Sequence, residues 1–216
     1  MSAAHAGRHQ SRRQSPPSET QPEFWIFAGP NGSGKSTFYS GADPEVGSRP
    51  FWIVNPDLLT LSIKKREGLA LDAANLAAVQ RLEAWLEATI DVHRSIGVET
   101  VLSTPKYQRL VTHAKTRGFL VRLIYVVLDS PERNIERVHA RIERGGHAVP
   151  EHKIIERYWR SLEQLPWFLR QADEARIYDN SGAEPVLIAE KSESTVRQHP
   201  HVIPAVVRAI EAALKL

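Results

Sequence analysis

The chain has 216 residues, of which 42% are hydrophobic and 25% are charged, and this composition is typical of a globular domain with a sizeable core. It contains no cysteine, which excludes disulfides, thiolate metal sites and cysteine nucleophiles. We expect a cytoplasmic protein without membrane contact, because no apolar run reaches the roughly 18 residues of a spanning helix and the N-terminus carries no signal-peptide core.

The net charge of +3 is concentrated at the start of the chain. Residues 1–20 hold three arginines against one glutamate and are rich in Ser, Gln, His and Pro. Few apolar side chains there could support folding, so we expect a disordered basic tail followed by one domain over residues 21–216. That domain is nearly neutral, which argues against a general nucleic-acid coat, while a contact of the tail with nucleic acid or a partner stays open.

The first predicted element is a strand over residues 24–28, and a phosphate-binding loop follows it directly. The loop matches the pattern G-x-x-x-x-G-K-[ST], followed by a threonine, with the residues Gly29, Pro30, Asn31, Gly32, Ser33, Gly34, Lys35, Ser36 and Thr37. Glycines let the backbone curl so that N–H groups point at phosphate oxygens, and a helix that begins at Lys35 adds its positive end. Lys35 is expected to reach the β- and γ-phosphates and Ser36 to bind Mg²⁺. The pattern therefore predicts a nucleoside triphosphate site.

Apolar runs and turn residues predict the remaining elements in alternation. One strand ends at Asn55-Pro56-Asp57, and Gly97 is expected to end the long helix that follows. The predicted strands are 51–54, 98–102, 119–128, 176–178 and 186–188, and the predicted helices are 69–96, 106–117, 131–144, 150 onward with an interruption near Pro166, and 204–216. This alternation predicts an α/β fold in which helices cover both faces of a central parallel sheet.

Three acidic residues fall at the carboxyl ends of predicted strands, where ligands bind in such a sheet. Asp57 follows the second strand, Glu99 lies in the third, and Asp129 follows the fourth. Phosphoryl transfer to a hydroxyl needs a carboxylate that accepts the proton or holds Mg²⁺, and Asp57 is best placed for that role. The alternatives are a helix cap for Asp57 and a solvent-facing strand end for Glu99, while a turn is the favoured role of Asp129.

Arginines recur at helical spacing along the predicted helix 131–144 and along the helix after it. They occupy the place where P-loop kinases carry a helical lid, and guanidinium groups there would neutralise charge on the transferring phosphoryl group. Gly145-Gly146-His147, between the two helices, is predicted to be a hinge or lid loop. A solvated face of ion pairs with interleaved glutamates is the alternative for any single arginine. The arginines are Arg133, Arg137, Arg141, Arg144, Arg157 and Arg160.

Five segments, in their order along the chain, resemble the zeta-toxin-like P-loop kinases. They are GPNGSGKST, NPD after the second strand, VETVLS in the third, the stretch from SPE through GGHAVP to IIERYWRSL, and RIYDNSG. The resemblance spans about residues 23–190. It is to the subgroup often labelled, from its P-loop alone, as a predicted ABC-type ATPase.

The resemblance implies a three-layer P-loop fold related to nucleotide and nucleoside kinases, with a helical lid and with ATP and Mg²⁺ as cofactors. Characterised zeta toxins phosphorylate the 3′-hydroxyl of the amino sugar in UDP-N-acetylglucosamine. The chain is therefore expected to phosphorylate a small acceptor, a nucleotide sugar, and an antitoxin protein is the partner expected of a toxin. Lys35 and Ser36 match the family's ATP and Mg²⁺ ligands.

The resemblance also assigns the acceptor side and the lid. Asp57 matches the carboxylate that activates the sugar hydroxyl, and Glu99 matches a substrate-binding glutamate. Val101 stands where the family has a threonine, so that hydroxyl is missing or is supplied by Thr100. The charge-stabilising pair in the lid is assigned to Arg141 and Arg157, with Arg137, Arg144 and Arg160 as alternates and with His147 in the place of one arginine if the Val-Pro pair anchors the match.

Three other functions stay open at this point. A P-loop ATPase or switch module would act with a protein partner, although no LSGGQ-like signature supports an ABC-type ATPase. A nucleic-acid end kinase is disfavoured by the nearly neutral domain. A nucleotide-binding interaction protein would bind ATP without transferring its phosphate to any acceptor.

Overall fold

A mixed sheet forms the centre of the computed structural model, which describes residues 21–38, 52–146 and 148–215. Its strands within these ranges are β1 Glu23–Ala28, β2 Trp52–Val54, β3 Ile96–Thr100, β4 Leu120–Val127, β5 Glu174–Asp179, β6 Val186–Ser192 and β7 Thr195–Gln198. They lie in the order β2-β3-β1-β4-β5-β6-β7. The first five pair in parallel, and β6 and β7 extend one edge in antiparallel fashion. The predicted tail 1–20, the segment 39–51 and His147 lie outside the described residues.

β1 occupies the point at which the strand order reverses. It pairs with β3 on one side and with β4 on the other, so that Ala28 lies opposite both Thr100 and Tyr125. In an open parallel sheet, ligands bind beyond the carboxyl ends of the strands at this switch point. The loop that follows Ala28 is therefore in the position that the topology reserves for a ligand.

Helices cover the sheet on both faces. They are α1 Lys35–Thr37, α2 Pro56–Glu67, α3 Leu71–Asp91, α4 Gln108–Thr116, α5 Pro131–Glu143, α6 Glu151–Gln171 and α7 Pro204–Leu214 within the described ranges. Successive side chains of a strand point to opposite faces. Phe24 and Ile26 of β1 pack in a large core with side chains of α3, α4, α6 and α7, whereas Trp25 and Phe27 pack with Phe38, the residue after α1. The prediction of a three-layer α/β fold is confirmed, with a sheet that is mostly rather than wholly parallel.

α6 continues through Pro166, where the sequence predicts an interruption. A proline inside a helix removes a backbone hydrogen bond and costs about 3 kcal/mol. The neighbouring Leu165, Phe168 and Leu169 are all buried in the main core, and burial of each such side chain contributes about 1.5–3 kcal/mol. Tertiary packing on both sides of the proline therefore outweighs its local cost.

The helix predicted over 69–96 is wrong at its C-terminal end. α3 ends at Asp91, and Gly97 lies inside β3, where it pairs with Trp25 of β1. The reversal is made instead near His93, whose φ of 55° is positive. The glycine is thus a strand residue beside a bulky neighbour, and the parallel ladder decides its conformation.

Two elements escape the sequence pattern altogether. α2 buries only Thr60 and Ile63, so it shows no apolar periodicity that would identify a helix. β7 is a short strand at the edge of the sheet with mostly exposed side chains. Among the described residues, none of the helices combines the length and the apolarity needed to span a membrane.

Candidate active site

The loop after β1 has a backbone that only glycine adopts readily. Gly29, Gly32 and Gly34 have φ angles of 144°, 77° and 95°, and such positive values strain any residue with a Cβ atom. Space is also closed to a side chain, because a Cβ on Gly34 would lie 2.3 Å from Asn180 Nδ2. Ser33 is fully buried inside the loop, and its Oγ has no hydrogen-bond partner among the described residues. The loop is therefore a preformed concave turn with a polar atom available to a ligand.

Lys35 lies folded against this loop. Its Nζ donates to the carbonyl oxygens of Gly29, at 2.7 Å, and of Pro30, at 3.0 Å, and it lies 4.0 Å from Glu99 Oε1. Burial lowers the pKa of Lys35, and Glu99 and Asp57 oppose that effect while Arg141 adds to it. A buried ammonium group is favoured by an anion nearby, so a phosphate group would complete the environment of this side chain.

Two side-chain amides from distant parts of the chain hold the loop. Asn134 of α5 is fully buried and its Nδ2 donates to Asn31 O. Asn180 lies directly after β5, and its Nδ2 donates to Ser33 O at 2.8 Å. The backbone carbonyl oxygen of Asn180 accepts from Arg137 Nη2 at 2.6 Å. The sequence analysis includes Asn180 only within the RIYDNSG segment and misses Asn134. The sequence offers one signal for Asn134, because it stands four residues before Val138 and so lies on the buried face of the arginine-rich helix α5.

Asp57 and Glu99 lie at the carboxyl ends of neighbouring strands, and Asn55 connects them. Asn55 Oδ1 accepts from the backbone N–H of Asp57 at 2.9 Å and of Leu58 at 3.3 Å, and its Nδ2 donates to Glu99 Oε2 at 2.7 Å. Asn55 is thus the N-cap of α2, so the capping role considered for Asp57 belongs to its neighbour. The Asp57 side chain is exposed in the first turn of α2, and Thr100 Oγ1 accepts from the backbone N–H of Leu102 at 3.0 Å.

A cation that the sequence analysis missed lies on the same side. Lys106 Nζ is 3.8 Å from Glu83 Oε1 and 4.8 Å from the centre of the Tyr107 ring, and burial lowers the pKa of Lys106. Burial also raises the pKa of Tyr107 above its usual value, and the carboxylates of Glu83 and Asp57 raise it further. The charge of Asp57 thus acts on Tyr107, the residue that follows Lys106. A lysine in a Pro-Lys-Tyr segment gave no signal of its own.

The lid arginines divide into two groups. Arg137 contacts Asn180, Arg157 Nη1 lies 3.4 Å from Asn31 Oδ1, and the charge of Arg141 acts on Lys35. The three others make different contacts: Arg133 binds Asp129 through two nitrogens and also Ser181 O, Arg160 pairs with Glu156, and the exposed Arg144 caps the end of α5. The structure thus brings Arg137, Arg141 and Arg157 to the loop and gives Asp129 an ion pair at the start of α5. Ser36 is exposed in α1.

A glycine loop at the switch point of a parallel sheet, with a buried lysine and arginines from two following helices, defines the class of ATP-dependent P-loop kinases. Within that class the chain belongs to the Zeta toxin family, whose model matches residues 8–193. A curated protein of Haemophilus influenzae that is described only as uncharacterized is 28% identical over 133 residues, which cover 62% of this chain and 90% of that protein.

Solved structures share the fold. The complex of AvrRxo1-ORF1 with AvrRxo1-ORF2 and ATP has a TM-score of 0.65 at 17% identity, over 91% of this chain and 64% of that chain. The same complex with sulphate ions gives 0.65 at 17% identity, over 92% of this chain and 66% of that one. The PezAT toxin–antitoxin system of Streptococcus pneumoniae gives 0.61 at 17% identity, over 91% and 80%. The chain thus spans slightly less than two thirds of the AvrRxo1 chains that it matches.

Proposed function

We propose that this protein transfers the γ-phosphate of ATP to a hydroxyl group of a small acceptor, and that the acceptor is a nucleotide sugar such as UDP-N-acetylglucosamine. The observation that carries the proposal is the environment of Lys35, whose Nζ lies 4.0 Å from Glu99 Oε1 and whose pKa also responds to the charges of Asp57 and Arg141. A phosphate donor bound at Lys35 would therefore interact with carboxylates and with a guanidinium group. This is the arrangement that phosphoryl transfer requires.

The P-loop residues Gly29 to Thr37 are proposed to bind the phosphates of ATP. The left-handed glycines and Ser33 Oγ, which has no hydrogen-bond partner in the described part of the chain, support this role, because they leave polar groups in a concave turn that a phosphate chain would fill. Ser36 offers a hydroxyl oxygen of the kind that Mg²⁺ prefers, and a bound Mg²⁺ would neutralise phosphate charge. Lys35 would then exchange its carbonyl partners for phosphate oxygens.

Asp57 is proposed to accept the proton of the acceptor hydroxyl. The acceptor oxygen forms a bond to the γ-phosphorus, the bond from that phosphorus to the β–γ bridging oxygen breaks, and ADP leaves with the negative charge. Asp57 suits this role because Asn55 performs the capping and leaves the Asp57 carboxylate exposed. Glu99, oriented by Asn55 Nδ2, and the Thr100 hydroxyl are proposed to bind hydroxyls of the sugar.

Arg141 and Arg157 are proposed to stabilise the charge that develops on the transferring group, with Arg137 as the alternate nearest the loop. Arg157 supports this because its hydrogen bond to Asn31 Oδ1 is long, at 3.4 Å, so the guanidinium group can turn to a phosphate. Arg160 is held by Glu156 at 2.9 Å, which makes it the poorer candidate. Guanidinium groups on a lid contribute only once the substrate is bound.

A nucleotide sugar is favoured by the charge of Lys106, which precedes Tyr107, a residue on which the charge of Asp57 acts. Lys106 is partly buried and only loosely paired with Glu83, at 3.8 Å, so it is suited to an anionic group such as a diphosphate. Family membership supports the same acceptor class. A toxin role with an antitoxin partner is proposed on the likeness to the PezAT toxin–antitoxin system.

The experiment that tests the proposal is mass spectrometry of products after incubation with ATP, Mg²⁺ and a panel of nucleotide sugars. We expect one phosphate to be added to UDP-N-acetylglucosamine by the wild type and none by Lys35→Ala. Addition to a different nucleotide sugar would keep the reaction and change the acceptor. Consumption of ATP with no phosphorylated acceptor would overturn the proposal in favour of an ATPase or switch module that acts with a protein partner.

A further inference from the structure

The turn after β5 joins the P-loop, the lid and the C-terminal segment. Within it, Asn180 holds the loop through Ser33 O and holds the lid through Arg137. Asn180 also donates its backbone N–H to Val127 O at 2.9 Å, at the end of β4. The position of this one asparagine therefore affects both the phosphate-binding loop and the helix that carries the lid arginines.

The residues on either side of Asn180 are fixed by a buried carboxylate. Asp179 is 5% exposed, and its Oδ1 accepts from both the backbone N–H and the hydroxyl of Ser181. Burial raises the pKa of Asp179, but the hydrogen bonds from Ser181 and His201 outweigh burial and leave that pKa below its usual value. The ionised carboxylate thus closes a short turn around Asn180, and Ser181 Oγ in turn accepts from the backbone N–H of Asp129 at 2.8 Å.

The second oxygen of Asp179 is bound from a distant part of the chain. His201 Nε2 lies 2.6 Å from Asp179 Oδ2, and since a carboxylate can only accept, Nε2 carries the proton. His201 lies between β7 and α7, beyond residue 193 where the match to the family ends. The segment is anchored directly after the histidine, because Ile203, Val206 and Ile210 are buried in the main core.

We infer that His201 is a positioning residue for ATP, which holds the turn 179–181 and, through Asn180, the P-loop and Arg137. The inference rests on the proposed use of the P-loop for ATP. His201 acts through Asp179, so it is not proposed to take part in the transfer. Its removal is expected to weaken ATP binding more than it slows the chemical step.

The test measures ATP binding directly, by titration of a fluorescent ATP analogue, so the identity of the acceptor has no bearing on the result. We expect His201→Ala to weaken binding about tenfold, because the turn that positions Asn180 loses the contact to Asp179 Oδ2. His201→Gln, which places an N–H donor at similar reach, is expected to recover most of the affinity. If His201→Ala weakened ATP binding only because the imidazole ring no longer fills its space, restoring an N–H donor would not recover the affinity.

A matched control comes from the same segment. His199 Nε2 lies 3.4 Å from Glu190 Oε1, and His199→Ala is expected to bind ATP as the wild type does. Asn180→Ala and His201→Ala together are expected to cost little more than Asn180→Ala alone, because both act through one turn. If His201→Ala fails to fold, His201→Leu, which keeps bulk without a donor, takes its place. Unchanged ATP affinity in that variant, or equal losses at His199 and His201, would overturn the inference.

Discussion

The nucleotide side and the proposed acceptor side of the candidate active site differ in the kind of groups that form them. On the nucleotide side, Asn31, Ser33 and Lys35 are buried in a loop whose shape comes from backbone conformation and from amides beneath it. On the acceptor side, Asp57 is exposed and Lys106 is only partly covered. The groups there are side chains at the ends of separate elements, joined mainly by Asn55.

This difference explains why a sequence pattern predicts the nucleotide side but does not predict the acceptor. A loop that needs positive φ at three glycines admits few sequences, so its pattern is specific wherever it occurs. Side chains on open surfaces can be exchanged without disturbing the fold, and acceptor choice is changed by such exchanges. We therefore expect the nucleotide side to determine the reaction class and the proposed acceptor side to determine what is phosphorylated.

The largest effect is expected for Asp57→Asn. Loss of the carboxylate removes the proton acceptor and is expected to lower kcat by about 10²–10⁴-fold. ATP affinity is expected to change little, because the asparagine leaves the P-loop and its amide supports intact. Steady-state kinetics with the acceptor that the wild type phosphorylates gives kcat, and titration of an ATP analogue gives the affinity for ATP.

Asp72→Asn is the control for this variant. Asp72 occupies the first turn of α3, as Asp57 does in α2, so both substitutions remove an exposed negative charge near a helix N-terminus. Only Asp57→Asn is expected to affect catalysis. Equal kcat values for the wild type and Asp57→Asn would contradict the role proposed for Asp57.

A smaller effect is expected at the lid, where two arginines of one helix can be compared. Arg157→Ala is expected to lower kcat by about 10²-fold, because a charge-stabilising donor is lost from the transition state. Arg160→Ala is expected to lower it by no more than about threefold, since its exposed pair with Glu156 contributes at most about 1 kcal/mol. If the larger loss occurs at Arg160, the lid closes in a different register from the one inferred from the contact with Asn31.

Local sequence patterns were sufficient for the core strands and the P-loop. The strand predicted over 119–128 corresponds to β4 Leu120–Val127, because a strand buried on both faces reads as one continuous apolar run. Local patterns failed where contacts with distant parts of the chain decide the structure. Packing keeps Pro166 inside α6, and pairing with β1 places Gly97 in a strand.

The same limit applies to the candidate site. Glycines and a lysine at fixed spacing predicted the loop, but its support comes from Asn134 and Asn180, which are 103 and 147 residues away from their partners in the chain. Asn55 also performs the capping that the sequence left open for Asp57. Such relations arise only when the strands assemble, since no local pattern specifies which buried amide meets which carbonyl.

The smallest effect that still separates the two sides is expected from a pair of glycines. Gly34→Ala and Gly118→Ala both place a Cβ atom at positive φ, 95° and 79° respectively, and such strain costs about 1–3 kcal/mol of unfolding free energy. A Cβ on Gly118 has no heavy atom within 4 Å, whereas one on Gly34 would meet Asn180 Nδ2 at 2.3 Å. Urea unfolding is therefore expected to show a loss of stability in both variants.

ATP binding is expected to weaken only in Gly34→Ala, because displacement of Asn180 releases Ser33 O and Arg137 together. Gly118 lies between α4 and β4, so Gly118→Ala measures the effect of backbone strain alone, without a contact between the new Cβ atom and another residue. If both variants bound ATP equally well, Asn180 could yield without disturbing the loop. The nucleotide side would then tolerate change as readily as the acceptor side, and the contrast between the two would rest on backbone conformation alone.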